Sequence, residues 1–158
     1  MSERVPMTPE GYRMLQDELK RCKTVERPRI IEAIEEARSH GDLTENAEYD
    51  AAKEAQQQLD RRMQDIEDKL ARAQVIRMED IQLDKVVFGV TVALTDLEHD
   101  RQVTYKLVGE DEADLAAGKL SVHSPLARAM IGKQAGDFVC FRSPAGEREY
   151  VIEEIRKE

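Results

Sequence analysis

Two stretches of about 30 residues each carry apolar side chains at three- and four-residue steps, and only SHGDLT (residues 39–44) joins them. A link that short allows nothing but a reversal of direction. The first stretch opens with Thr8-Pro9-Glu10, a capping residue, a proline suited to the first helical position and an acid in the first turn. Tyr12, Leu15, Leu19 and Cys22 then follow the 3-4-3 spacing of a coiled-coil seam. Pro28 has no N–H and crowds the carbonyl of Thr24, so a kink or slip is expected there. The stripe resumes one position late, at Ile30, Ile34 and Ala37. The second stretch repeats the heptad pattern at Ala52, Leu59, Met63, Ile66, Leu70 and Ala73, with Gln56 as the one departure. The pattern predicts an antiparallel two-helix hairpin roughly 45 Å long at 1.5 Å per residue. An isolated helix pair buries one seam, so its tip must meet solvent or a partner.

After Ile76 the apolar period changes to two. Val86, Phe88, Val90, Val92 and Leu94 alternate in VVFGVTVAL, and Val103, Tyr105 and Leu107 do so in VTYKL. DFVCF and EYVIEEI read as two further strands. Between these pairs, SPLARAMIG carries Ser124 as a cap, Pro125 at the first helical position and Gly132 as a stop, which predicts a short helix. The expected organisation is α+β: a coiled-coil hairpin over residues 1–78 with its tip at 41–46, then a small domain over 79–158 with an antiparallel sheet and helix cover.

Composition narrows the function classes. Charged residues make up 36% of the chain, which suits long exposed helices. Net charge is −9, and residues 1–79 and 80–158 are each net acidic, unlike a protein that grips nucleic acid unaided. Aromatics are 4% with no Trp, too few for a base-stacking platform. Cys22 and Cys140 have no CxxC spacing and read as small buried apolar residues of a reducing compartment. No apolar run approaches the ~18 residues of a membrane span, and no signal-peptide pattern opens the chain. Together these predict a cytoplasmic protein with no membrane contact. His40, His99 and His123 have no metal-ligand spacing.

The hairpin tip holds Asp42 and Glu45, three residues apart. One reading is structural: Gly41 ends the first helix, and Asp42 with Glu45 forms a capping box for the second, Thr44 being a rival cap. The other is chemical. Two carboxylates three apart near a helix start share one side, and at ~5–6 Å they repel by about 1 kcal/mol in water. A divalent cation would turn that repulsion into attraction, and Mg²⁺ binds through one or two carboxylates while keeping its waters. Two acids are too few for a closed cage but enough to complete a site that another molecule half provides.

The segments EARSHGDLTENAEYDAAKEAQ, SVHSPLARAMIGKQAGDFV and SPAGEREYVIEEI together resemble the bacterial Gre transcript-cleavage factors, of the GreA type, over essentially the whole chain. The resemblance implies an FKBP-like second domain and a coiled coil that enters the secondary channel of RNA polymerase. It implies that Asp42 and Glu45 hold a catalytic Mg²⁺ jointly with the polymerase, which then cleaves the 3′ end of backtracked RNA. The isolated protein would bind no cofactor, would be no enzyme itself, and would act as a monomer on its partner. Arg38 and Lys53 match positions that flank the tip toward RNA, while Asn46 and Tyr49 match tip residues that support it or touch RNA. Ser121, His123 and Pro125 match the docking segment for the polymerase rim, although His123 stands where Asn or Asp is expected. Two rival functions remain open at this stage. A channel-entering inhibitor would be expected to alter the tip, and GDLTEN keeps the cleavage form. A free-standing prolyl isomerase would need more pocket aromatics than Phe88, Tyr105, Phe138, Phe141 and Tyr150 supply.

Overall fold

The computed structural model describes residues 3–41 and 46–157. The chain forms two compact units: Met1–Glu3 with Tyr12–Ala73, and Arg4–Gly11 with Gln74–Glu158.

The first unit is the helical hairpin. Helix α1 spans Pro9–Arg21, a π-helical turn covers Cys22–Glu26, α2 spans Arg27–Ser39 and α3 spans Ala47–Ala71. The π-turn is the slip that Pro28 foreshadows. Its closing bond runs from the Arg27 N–H to the Cys22 carbonyl, one residue longer than an α-turn, and an extra residue per turn rotates every later position. That single insertion moves the seam from Leu15 and Cys22 to Ile34 and Ala37, all buried. Across the seam, α3 contributes buried Ala52, Met63 and Ile66, the last with no exposed surface. Charged pairs flank this stripe. The Arg62 guanidinium donates from Nε to one Glu18 oxygen at 2.7 Å and from Nη2 to the other at 3.0 Å, and Arg27 reaches Asp60 at 3.4 Å. Two teeth on one helix thus engage two on the other, which fixes the hairpin register.

The second unit is a five-stranded sheet in the order β5-β4-β3-β7-β6, made of β3 (Thr91–Asp96), β4 (Arg101–Val108), β5 (Lys119–Ser121), β6 (Phe138–Ser143) and β7 (Gly146–Arg156). A separate two-stranded sheet pairs β1 (Val5–Met7) with β2 (Ala73–Val75). Helix α4 (Pro125–Met130) begins as read from the sequence, with the Ser124 Oγ accepting from the Ala127 N–H at 3.3 Å. Val92, Leu94, Leu107, Val139 and Ile152 line one sheet face and pack with Leu126, Ala127 and Met130 of α4 as the core.

Four sequence expectations are amended here. The sheet is not wholly antiparallel, because β5 runs parallel to β4, with Leu107 opposite Leu120; residues 109–118 double back as far as Lys106, so β5 lies beside the last three residues of β4. The strand expected from Val86 begins at Thr91. Gly89 takes φ +91° in a turn, and a Cβ there would lie 2.7 Å from Ile81 Cδ1; Val86 and Val90 are still buried, and the Gly89 N–H and the Val90 carbonyl bond to Leu107 ahead of the regular strand. Cys140 is exposed: on β6, Val139 faces the core, so its neighbour points outward. Finally, Thr8 does more than cap α1. Its Oγ accepts from the Gly11 N–H at 3.0 Å and its hydroxyl lies 2.5 and 2.6 Å from the carboxylate oxygens of buried Glu112.

Candidate functional site

The hairpin tip is assembled from two helix ends. Helix α2 stops at Ser39, and His40 caps it, its N–H bonding to the Ala37 carbonyl at 3.2 Å. Gly41 follows with φ +99°, a conformation that costs a side chain, and its N–H bonds to the Arg38 carbonyl at 3.2 Å. Helix α3 begins at Ala47 with Asn46 as its cap: the Asn46 Oδ1 accepts from the Tyr49 N–H at 3.1 Å. The same side chain donates from Nδ2 to the Ala37 carbonyl at 2.7 Å. Beneath them Ala37 and Ala52 are buried, two small side chains that let the helices approach closely. A contact that the sequence pattern did not single out brings the His40 Nδ1 to 3.2 Å from the Glu48 Oε2, with both side chains exposed.

Asp42 and Glu45 lie outside the described residues, as does Thr44. The helix start nevertheless decides the capping question for α3. Its cap is Asn46 and the third helical position is Tyr49, so the expected capping box at Asp42 and Glu45 is not how this helix begins. Asp-Leu-Thr-Glu-Asn offers three residues able to cap, Asp42, Thr44 and Asn46, and the one that prevails also reaches back to α2.

Of the other tip residues, Arg38 is exposed at the last turn of α2, and Tyr49 is half-buried on the first turn of α3. The Lys53 ammonium donates to the Gln56 Oε1 at 3.2 Å, so the one polar departure from the α3 stripe has a local partner. The expected docking segment stands in the second unit. Ser121 Oγ accepts from the His123 N–H at 3.1 Å, and the Ser124 hydroxyl donates to the Ser121 carbonyl at 2.8 Å. This hydrogen-bonded turn leaves His123 exposed ahead of α4 and Pro125 exposed at its first position.

One polar cluster escaped the sequence reading. Asp96, at the end of β3, is buried, with one oxygen 3.0 Å from His99 Nδ1 and the other accepting the N–H groups of Glu98 and His99. Burial alone would raise its pKa, but these hydrogen bonds hold the carboxyl below the usual aspartate value. Asp-x-x-His between two alternating runs was the available signal, and it describes a turn rather than a reactive site. Burial, with Glu18 and Glu26 alongside, pushes the Cys22 thiol up, which makes it a poor nucleophile. Among the described residues, no group of three or more His, Cys, Asp or Glu is placed to hold a metal ion. Among them, too, no helix is long and apolar enough to cross a membrane.

Comparison with known proteins covers both units. The family described as "Transcription elongation factor, N-terminal" matches residues 5–75, and "Transcription elongation factor, GreA/GreB, C-term" matches residues 81–157. The chain is 55% identical over 155 residues to the transcription elongation factor GreA of Syntrophotalea carbinolica, covering 98% of each. It is 56% identical over 154 residues to that of Alkalilimnicola ehrlichii, covering 97% of this chain and 98% of the relative. Among solved structures, the GreA factor homolog 1 (Gfh1) protein of Thermus thermophilus aligns at 26% identity over 98% of this chain and 99% of that one, with a TM-score of 0.42.

Proposed function

The chain belongs to the GreA/GreB family of transcription elongation factors, and on that premise we propose that it lends two tip carboxylates to RNA polymerase for cleavage of backtracked RNA. In this reading the protein works in the cytoplasm, the hairpin enters the polymerase secondary channel, and the second unit docks at the channel rim through Ser121, His123 and Pro125.

The observation that carries the reading is the division of labour at the tip. Asn46 is the N-cap of α3, so the start of that helix does not call on Asp42 or Glu45 for that position. Two carboxylates in a four-residue span suit Mg²⁺, a hard cation content with few protein oxygens and several waters. When bound, such an ion would lower the pKa of an attacking water and offset charge on the phosphate. Asp42 and Glu45 would hold and orient it, and the polymerase would provide its remaining contacts. Arg38 and Lys53 would draw the RNA phosphates toward the acids, and Tyr49 would present its half-exposed ring beside them.

Asp42→Asn and Glu45→Gln each remove a charge without shortening the side chain. Each is expected to lower stimulated cleavage by on the order of 100-fold, the scale of one lost electrostatic stabiliser, while binding to polymerase persists. Wild-type cleavage in either variant would reject the assignment. Arg38→Glu is expected to weaken crosslinking of the RNA 3′ end to the factor, and unchanged crosslinking would count against an RNA contact there.

A further inference from the structure

We propose that Asn46 is a positioning residue for transcript cleavage: its side-chain amide ties the end of α2 to the start of α3 and so fixes the two helix ends that residues 42–45 connect. The inference rests on the role proposed above for Asp42 and Glu45.

The geometry is specific to an amide. Asn46 Oδ1 accepts the Tyr49 N–H at 3.1 Å while its Nδ2 donates to the Ala37 carbonyl at 2.7 Å, nine residues back. Ala37 is 1% exposed, and its carbonyl also accepts the His40 N–H at 3.2 Å, so both of its lone pairs are used. One planar group therefore closes the reversal from both sides. Capping alone needs only an acceptor, which Asp or Ser supplies equally well. The donor to Ala37 has no part in capping, and of the common N-cap residues Asn alone carries its acceptor and its donor on two separate atoms, where a Ser or Thr hydroxyl has a single, shorter-reaching oxygen for both. A tie of this kind acts on chemistry through placement: an error of about 1 Å in a reacting group costs on the order of 100-fold in rate. These two bonds hold the side chain in place between the helix ends, and on them Asn46 is assigned to the frame.

Asn46→Asp separates the two functions. An ionised Asp keeps the acceptor for the Tyr49 N–H, and its charge favours a helix start, so α3 is retained. It has no donor, and it sets a negative oxygen against the Ala37 carbonyl. Two measurements on the full chain test the consequence. In the free protein, hydrogen exchange at the His40 and Gly41 amides is expected to quicken at least tenfold while the Tyr49 amide keeps its protection. With polymerase and a backtracked complex, cleavage is expected to fall at least tenfold, and the Mg²⁺ concentration for half-maximal cleavage to rise, with binding unchanged. Wild-type exchange at His40 and Gly41, or wild-type cleavage at every Mg²⁺ concentration, would overturn the proposal. Asn46→Ser, which likewise caps without the tie, is expected to behave as Asn46→Asp does, and wild-type behaviour in it would overturn the proposal too. Failure of the acid assignment reads differently: Asp42→Asn would then cleave normally whatever the Asn46 variants do.

Discussion

The hairpin and the sheet unit are stabilised in opposite ways. In the sheet unit a contiguous cluster of fully buried side chains, Val92, Leu94, Leu107, Met130, Val139 and Ile152 among them, packs between sheet and helix. In the hairpin the buried side chains form a single file: Leu15, Cys22 and Ile34 against Ala52, Met63 and Ile66, with solvent on both flanks. Such a file holds two rods side by side but resists sliding only weakly. Register in the hairpin therefore leans on the few paired charges, Glu18 with Arg62 and Arg27 with Asp60, and on the closure at the tip. The contrast teaches that one unit is built to be a body and the other to be a reach.

The sharpest way to break this contrast is to cut equal volumes from each part. Leu94→Ala is expected to cost about 4 kcal/mol, because a core closed on all sides cannot collapse onto the gap. Ile66→Ala is expected to cost about 2 kcal/mol, since an open-sided seam can close partway. Denaturant titration followed by hydrogen exchange resolves the two, and equal losses would erase the distinction drawn here.

A smaller effect belongs to the flanking charges. Arg62→Met keeps much of the aliphatic stem and removes the fork on Glu18. With both partners about 40% exposed, the expected loss is roughly 0.5–1 kcal/mol, shrinking in 1 M salt. Unfolding of the hairpin at low and high salt measures it, and a salt-independent loss would assign Arg62 to packing instead.

The mildest change is expected on acidification of the sheet unit. Asp96 has a folded pKa below its unfolded value, so its stabilising effect is complete above the usual aspartate range. It is lost as pH falls through that range and on through the lower folded value. Asp96→Asn should flatten the acid limb of the stability curve, whereas an unchanged limb would place the acid sensitivity elsewhere.

Much of this architecture could be read from the sequence because its causes are local. Pro28 removes a donor within its own turn, so the one-residue slip at Cys22–Glu26 was foreseeable, although its form as a π-turn was not. Ser124, Pro125 and Gly132 bracket α4 by their own backbone preferences. What stayed hidden depends on distant partners. Glu112 reads as one more acid in a charged loop until Thr8, 104 residues earlier, is placed on it. The parallel strand β5 is three residues long and carries no alternation to betray it. Asp42, Thr44 and Asn46 are equally able to cap a helix by local chemistry. Only the Ala37 carbonyl across the hairpin shows why Asn46 is the one that does.

The claim that a slender rod carries two acids to another protein's active centre has one direct test. Purified protein is added with Mg²⁺ to a stalled, backtracked elongation complex, and the RNA is resolved for 3′ fragments, with Asp42→Asn run in parallel. Short 3′ fragments with the wild type, and their loss in a variant that still binds polymerase, are the predicted result. Undiminished fragments from the variant, or none from the wild type when bound, would contradict it.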